Sequence, residues 1–323
     1  MKKLTIALFT ILASILIISC GKAKTNENGC YIDIDDAVTA ANKKNQDIMV
    51  IITLDGDDEQ STDFMDKVVR DSNFKKEIAS NYSVVCMDFS KKAYEKTVAA
   101  EDASDAEKKA AEANANLMQK NTKYATMLAA SETPVIFILS KEMYFINGLY
   151  YDEENRTLEG FKKALAAKSA LIDEMHKMIY QTKIGTEEEK IAAIDSLFEA
   201  TDPDYILFLF ELLNSVRKLD PTNKSGLTGK YIYEAAAIQS DLYMMEGKFR
   251  EAIQTYLDVA EEPLLTVEDR QQAMYTAAYR SSMLELDEVP VIIGYLEKSI
   301  AIAPDSEQVP ALKRVIAALS AQK

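Results

Sequence analysis

Two periodicities divide the chain. From residue 31 to about 165, short uninterrupted apolar runs alternate with stretches whose apolar positions recur every three or four residues; beyond about 166 only the second pattern persists. The uninterrupted runs are 48–54 (IMVIITL), 83–89 (SVVCMDF) and 134–139 (PVIFIL). Their length and composition are those of strands covered on both faces. Residues 144–151 predict a further strand, turned back antiparallel on 135–139 near Lys141. Helical periodicity covers 35–44 and 59–70. Residues 93–128, rich in Ala, Lys and Glu, predict one or two exposed helices forming an insertion or a lengthened connection. Strands alternating with helices in this order predict an α/β unit over 30–165.

The remainder, 166–323, predicts an all-helical unit of hairpins. Helices are expected over 161–180, 187–199, 205–218, 230–245, 249–261, 267–284, 289–303 and 308–321. Gly185, Pro203, Pro221, Gly247, Pro263 and Pro304 punctuate them. Tyr231, Tyr233, Tyr243, Met244, Met245, Met274, Tyr275 and Tyr279 recur at helical spacing. Most are expected in the core between hairpins, and the rest on a concave face open to a peptide.

The first residues have a different character. Met1-Lys2-Lys3 is basic, residues 4–18 are almost wholly apolar, and the run stops at Ser19-Cys20-Gly21. This is the layout of an export signal. Its ending resembles a bacterial lipobox, which implies cleavage after residue 19 and lipidation of Cys20. Residues 20–29 are polar and are expected to form a flexible tether. No later apolar run reaches the eighteen or so residues of a membrane span.

Composition narrows the function. With 37 Lys and Arg against 52 Asp and Glu, the net charge is -15, and the leader's two lysines take it to -17 on removal. Such a surface repels nucleic acid. Three Cys, one His and no Trp leave too few ligands for a Cys/His zinc cluster. His176 stands alone on a helix and is expected at the surface or its boundary. The acidic stretch Asp55-Gly56-Asp57-Asp58-Glu59 lacks the spacing of a calcium loop and reads as a solvated turn. No G-x-S-x-G, P-loop or H-E-x-x-H motif occurs, so no catalytic constellation, metal or cofactor is expected.

The α/β part, with its three apolar strands and the dipeptide Thr133-Pro134 ahead of Val135, resembles thioredoxin-like proteins over about 135 residues. The resemblance implies a cis bond before Pro134, with a plain trans proline opening the strand as the alternative. It also places Asp58 and Ser61 where the two redox cysteines of Cys-x-x-Cys would stand. A thiol-exchange enzyme needs a thiolate at that helix start and a second thiol beside it. Asp58 also reads as a helix cap, complemented by Glu59. Cys30 and Cys86, expected on adjacent strands, carry two open readings: a structural disulfide, or ordinary buried small residues.

Residues 236–260 resemble a tetratricopeptide repeat. Gly247-Lys248-Phe249 would be its turn, with Ser240 and Tyr243 before it and Ala252 and Tyr256 after. A looser second unit covers 273–304, and its turn at Asp287 lies 40 residues after Gly247, longer than the usual 34 or so.

Together these features predict a lipid-anchored envelope protein: a redox-inactive thioredoxin-like binding, scaffold or chaperone-like module followed by partner-binding helical hairpins. The resemblance implies a peptide groove at Thr133 and Pro134, flanked by Asp58 and Ser61. The expected partners are envelope proteins or peptide segments, with the membrane reached through the anchor. The rival readings are a thiol–disulfide oxidoreductase using Cys86 or Cys30, and a purely structural lipoprotein.

Overall fold

A computed structural model describes residues 25, 26 and 28–321; the leader and Cys20 lie outside the described residues. The first part runs α1 (Ile34–Lys44), β1 (Asp47–Thr53), α2 (Glu59–Phe64), a π-helical turn (Met65–Val69), α3 (Phe74–Glu77), β2 (Tyr82–Asp88), α4 (Lys91–Glu95), α5 (Asp105–Met127), β3 (Val135–Leu139), β4 (Phe145–Tyr150) and α6 (Leu158–Ala167). The four strands form one sheet in the order β2-β1-β3-β4. β1 pairs parallel with β2 and antiparallel with β3, and β3 pairs antiparallel with β4. Of the two forms expected for the Thr133–Pro134 bond, the structure has the cis one.

β1 is apolar from Ile48 to Ile52 because both its faces are covered. Met49 and Ile51 enter one core with Phe64, Val68 and Phe161, while Ile48, Val50 and Ile52 enter another with Ile34, Ala37 and Leu128. Period-two alternation thus sends successive apolar side chains into two different cores.

The anticipated helix over 59–70 is broken. Its second half widens into the π-helical turn, where the Arg70 N–H donates to the Met65 carbonyl at 2.8 Å. The wider turn keeps Met65, Val68 and Val69 buried and leaves Arg70 beside Asp55 and Asp66. The 93–128 stretch resolves into α4 and the long α5, opened by a reciprocal cap between Ser104 and Glu107. α5 is tied to the start of α1 by Lys120, whose ammonium donates to both Asp33 carboxylate oxygens at 3.0 Å and also bonds Asp35. The stretch expected to be a flexible tether to residue 29 is structured from Thr25, which bridges Tyr31. The Asn26 side chain accepts from the N–H groups of Asn28 and Cys30 at 3.0 Å each, which closes the turn.

The helical part comprises α7 (Ser169–Gln181), α8 (Glu187–Ala200), a 3₁₀ segment (Pro203–Leu209), α9 (Phe210–Leu219), α10 (Thr228–Met245), α11 (Phe249–Val259), α12 (Val267–Met283), α13 (Val289–Ile302) and α14 (Val309–Ser320). The helix anticipated over 161–180 divides at Lys168 into α6 and α7. No core boundary falls at residue 165: one apolar cluster continues from the sheet through Phe161, Ile179, Leu197 and Leu213 to Tyr231. The helix anticipated over 205–218 begins instead as the 3₁₀ segment. In that tighter turn residues i and i+3 align, so Tyr205 and Phe208 both reach the core on the other face of the sheet. The Tyr205 ring stacks on Phe145 with centroids 3.7 Å apart. Beyond α10 two smaller cores hold the last hairpins together. No helix among the described residues is long and apolar enough to cross a membrane.

α7 is also pinned to the sheet by a polar contact: His176 Nε2 lies 2.9 Å from Asp47 Oδ2. The His anticipated without a metal-ligand partner therefore has a carboxylate partner from 129 residues away. The hydrogen bond to Asp47 raises the His176 pKa above 6.5, against a smaller opposing effect of burial. A folded-state pKa above the unfolded one gives stability that is complete below about pH 6.5 and fades as pH rises through the folded value. His176 is 41% exposed, so solvent screening holds the contribution below about 1 kcal/mol. Denaturant midpoints measured from pH 5 to 8 should fall by that increment in the native protein, and Asp47→Asn should flatten the slope. An unchanged slope in Asp47→Asn would refute the linkage.

Candidate functional site

β1 ends at Thr53, and the chain then turns through Leu54–Asp58 into α2. The turn is braced by its own backbone and side chains. The N–H groups of Asp57 and Asp58 both donate to the Leu54 carbonyl at 3.0 Å, and the Gly56 N–H donates to Thr62 Oγ1 at 2.9 Å. Gly56 sits at φ 91°, a conformation that L residues with a side chain rarely adopt. The strand register that pairs Ile52 with Val135 brings cis-Pro134 to this same end of the sheet, alongside Thr53.

Asp58 and Ser61, the two positions singled out in the sequence, both place side-chain oxygens on the backbone of the turn. Asp58 has extended backbone, and its Oδ2 accepts from the Ser61 N–H at 2.8 Å, capping α2. Ser61 is fully buried, and its Oγ accepts from the Leu54 N–H at 3.1 Å. Both side chains are therefore committed to holding the turn. Ser61 does not line an open groove. Asp58 does border a hollow of about 330 Å³, together with Asp57, Glu59, Asp63 and Asp66. Contrary to the expected peptide groove, neither Thr133 nor the buried Pro134 borders this hollow. Losing the Asp58 cap in Asp58→Ala is expected to cost about 1 kcal/mol in urea denaturation, while Asp58→Asn keeps most of it. Equal stability of both variants with the parent would refute the capping role.

The acidic turn keeps Gly56, Asp57 and Glu59 exposed, and several carboxylates in and around it also have structural partners. Asp55 pairs with Arg70, which also meets Asp66. An Asp57 oxygen accepts from the Lys91 N–H, which joins the turn to the start of α4. Asp63 accepts from the Tyr151 hydroxyl at 2.8 Å and pairs with Lys67. Hydrogen bonds from Lys67 and then Tyr151 hold Asp63 below the usual carboxylate range. Burial and the Asp63 carboxylate push Tyr151 up to about 12. Asp63 and Tyr151 therefore keep one ionisation state near neutral pH, so neither is poised for proton transfer. Among the described residues no group of three or more His, Cys, Asp and Glu is arranged to hold a metal ion.

Sulfur lies elsewhere in the sheet. Cys30 and Cys86 are free thiols. The Tyr31 N–H donates to the Val84 carbonyl at 2.7 Å, and the Cys86 N–H donates to the Tyr31 carbonyl at 3.0 Å. Tyr31 therefore faces Val85, and Cys86 is displaced two residues from the position opposite Cys30. The thiols share a face and lie within hydrogen-bonding reach of each other, and in this structure they are unbonded. The hydrogen bond with Cys30, and then burial, push the Cys86 thiol well above its ordinary range. This is the opposite of what a thiolate nucleophile requires.

On the helical side, Ser240 and Ala252 meet where α10 and α11 cross. Ser240 Oγ donates to the Ala252 carbonyl at 2.8 Å and accepts from Arg280 Nη1 at 2.8 Å. Both residues are fully buried, and the small side chains let the backbones come this close. Tyr231 and Met274 are buried, whereas Met245 and Tyr279 are exposed. Residues 166–323 thus hold a groove that the sequence reading did not single out, between the 3₁₀ segment and α10. Its only sequence signal is the acidic and apolar spacing of Glu234, Ile238, Asp241, Leu242 and Met245 along one helix face.

Residues 227–323 match a family described as an uncharacterised protein C-terminal domain. An uncharacterized protein of Treponema pallidum (strain Nichols) is 26% identical over 162 residues, which are 50% of each chain. The chain thus spans about half the length of the curated relative it matches. Among solved structures, the chain is similar to one titled DsbH oxidoreductase, at 15% identity and a TM-score of 0.33, over 46% of this chain and 90% of that one.

Proposed function

We propose that the protein is a lipid-anchored component of a bacterial envelope, whose thioredoxin-like part binds a partner without exchanging thiols and whose helical hairpins, tetratricopeptide-like in plan, hold a polypeptide segment. The observation that carries the reading is that Asp58 and Ser61, which the resemblance sets where redox sulfurs would stand, are committed to capping and bracing the turn. Oxygen at both positions removes electron transfer, while the acid-lined hollow remains at the surface where a segment could dock; Pro134 is buried and does not border it. The anchor is Cys20, and the partners are envelope proteins or peptide segments. The unbonded Cys30 and Cys86, with a thiol raised in pKa, support the same reading.

Insulin reduction tests the redox half. The full chain is expected to precipitate insulin no faster than dithiothreitol alone; acceleration abolished by Cys86→Ser would establish the oxidoreductase reading instead. Radiolabelled palmitate should enter the native protein and not Cys20→Ser. Capture of the same envelope polypeptide by independent preparations supports the binding half, and repeated capture of nothing would favour a purely structural lipoprotein.

A further inference from the structure

The groove between the 3₁₀ segment and α10 has walls of two kinds. Its apolar side is formed by Ile206 and Leu207 from the segment and by Ile238, Leu242 and Met245 from α10. Its rim carries three carboxylates, Asp204, Glu234 and Asp241, and no Lys or Arg lines it. At about 230 Å³ it falls below the roughly 300–1,000 Å³ of sites for drug-sized ligands, a size suited to one long side chain.

The three carboxylates are not equally satisfied. Asp241 pairs with Arg280 at 2.7 Å. Asp204 and Glu234 make no side-chain hydrogen bond or ion pair among the described residues, although Lys230 stands one turn from Glu234 on α10. The Lys230 ammonium is held by Asp195 at 3.1 Å and Glu199 at 2.7 Å. Burial raises the Glu234 pKa above the ordinary carboxylate value. A half-buried carboxylate with no hydrogen-bonded cation works against the fold, because it loses hydration and the nearby Lys230 charge offsets this only in part. The groove therefore offers an unspent charge beside an apolar wall.

We propose that this groove receives a lysine side chain of a partner polypeptide, with the butyl stem against Leu207, Ile238 and Leu242 and the ammonium meeting Glu234 and Asp204. Lysine matches both walls, since its stem buries on apolar surface while its compact charge stays at the rim. The inference rests on the reading of the helical hairpins as a polypeptide-binding part, and it names the chemistry of what they hold.

The test is a methyl NMR titration of the full chain in detergent, using Nα-acetyl-lysine N-methylamide and its neutral norleucine analogue. The lysine probe is expected to shift the Ile238, Leu242 and Met245 methyls and to bind at least tenfold more tightly than norleucine. Glu234→Gln should abolish that preference while the circular dichroism spectrum is kept and the unfolding midpoint is equal or higher. Equal binding of the two probes, a preference that survives Glu234→Gln, or a stronger response to the arginine analogue would each overturn the assignment. The titration uses no partner, so its failure defeats the groove alone, whereas failed capture from envelope extract defeats the wider reading alone.

Discussion

Gly160→Ala is expected to destabilise the protein by about 3 kcal/mol, although alanine is the better helix former. A Cβ on Gly160 would stand 1.9 Å from the Glu154 carbonyl oxygen and 3.3 Å from the Asn155 Cα, both backbone atoms. That backbone cannot easily retreat. The Asp152 carboxylate accepts from the Glu154 and Asn155 N–H groups at 2.8 Å each, and the buried Asn155 side chain donates to the Tyr150 carbonyl at 2.7 Å. The alternative is to move α6, which carries Phe161 in the core. Gly294→Ala is the control: it lies within α13 with nothing within 4 Å of the added Cβ, and should gain up to about 1 kcal/mol. Chemical denaturation of both variants checks the pair, and two shifts of the same sign would refute the steric argument.

Phe64→Ala is expected to cost about 3–5 kcal/mol, the range for truncating a buried aromatic residue. Phe64 is fully buried, with its ring 5.5 Å from that of Phe161 and edge-on to it, and 6.4 Å from that of Tyr151. It sits where α2 passes into the π-helical turn, so the cavity would open directly beneath the capped turn at Asp58. Phe64→Leu, which keeps most of the volume, should lose far less. Urea denaturation of the two variants measures the difference. A loss below about 1 kcal/mol in Phe64→Ala would show that this core collapses around the gap and is not rigidly packed.

Both predictions depend on how the two parts of the chain share a core. The α/β character over 30–165 was readable because the 48–54, 83–89 and 134–139 runs are apolar without interruption, and only strands buried on both faces need that. The helices of the second part were readable from their period and from Gly and Pro between them. The split of 59–70 and the 3₁₀ entry to α9 were not, because each answers to distant side chains: Asp55 draws Arg70 back, and Phe145 receives Tyr205. Asp58 was legible as a cap from its place before Glu59. The inward commitment of Ser61 was not, since its acceptor role depends on where the Leu54 N–H points after the turn closes.

Helical and strand periods, the missing sulfur at positions 58 and 61, and the excess of acid are properties of neighbouring residues or of composition, and a linear chain displays them without folding. Register, the continuous core across residue 165, the His176–Asp47 contact and the unpaired Glu234 at its groove join residues tens to more than a hundred positions apart. Such contacts are selected by which packing buries the most apolar surface at the least cost in strain and unpaired charge, and that comparison exists only between whole folded arrangements.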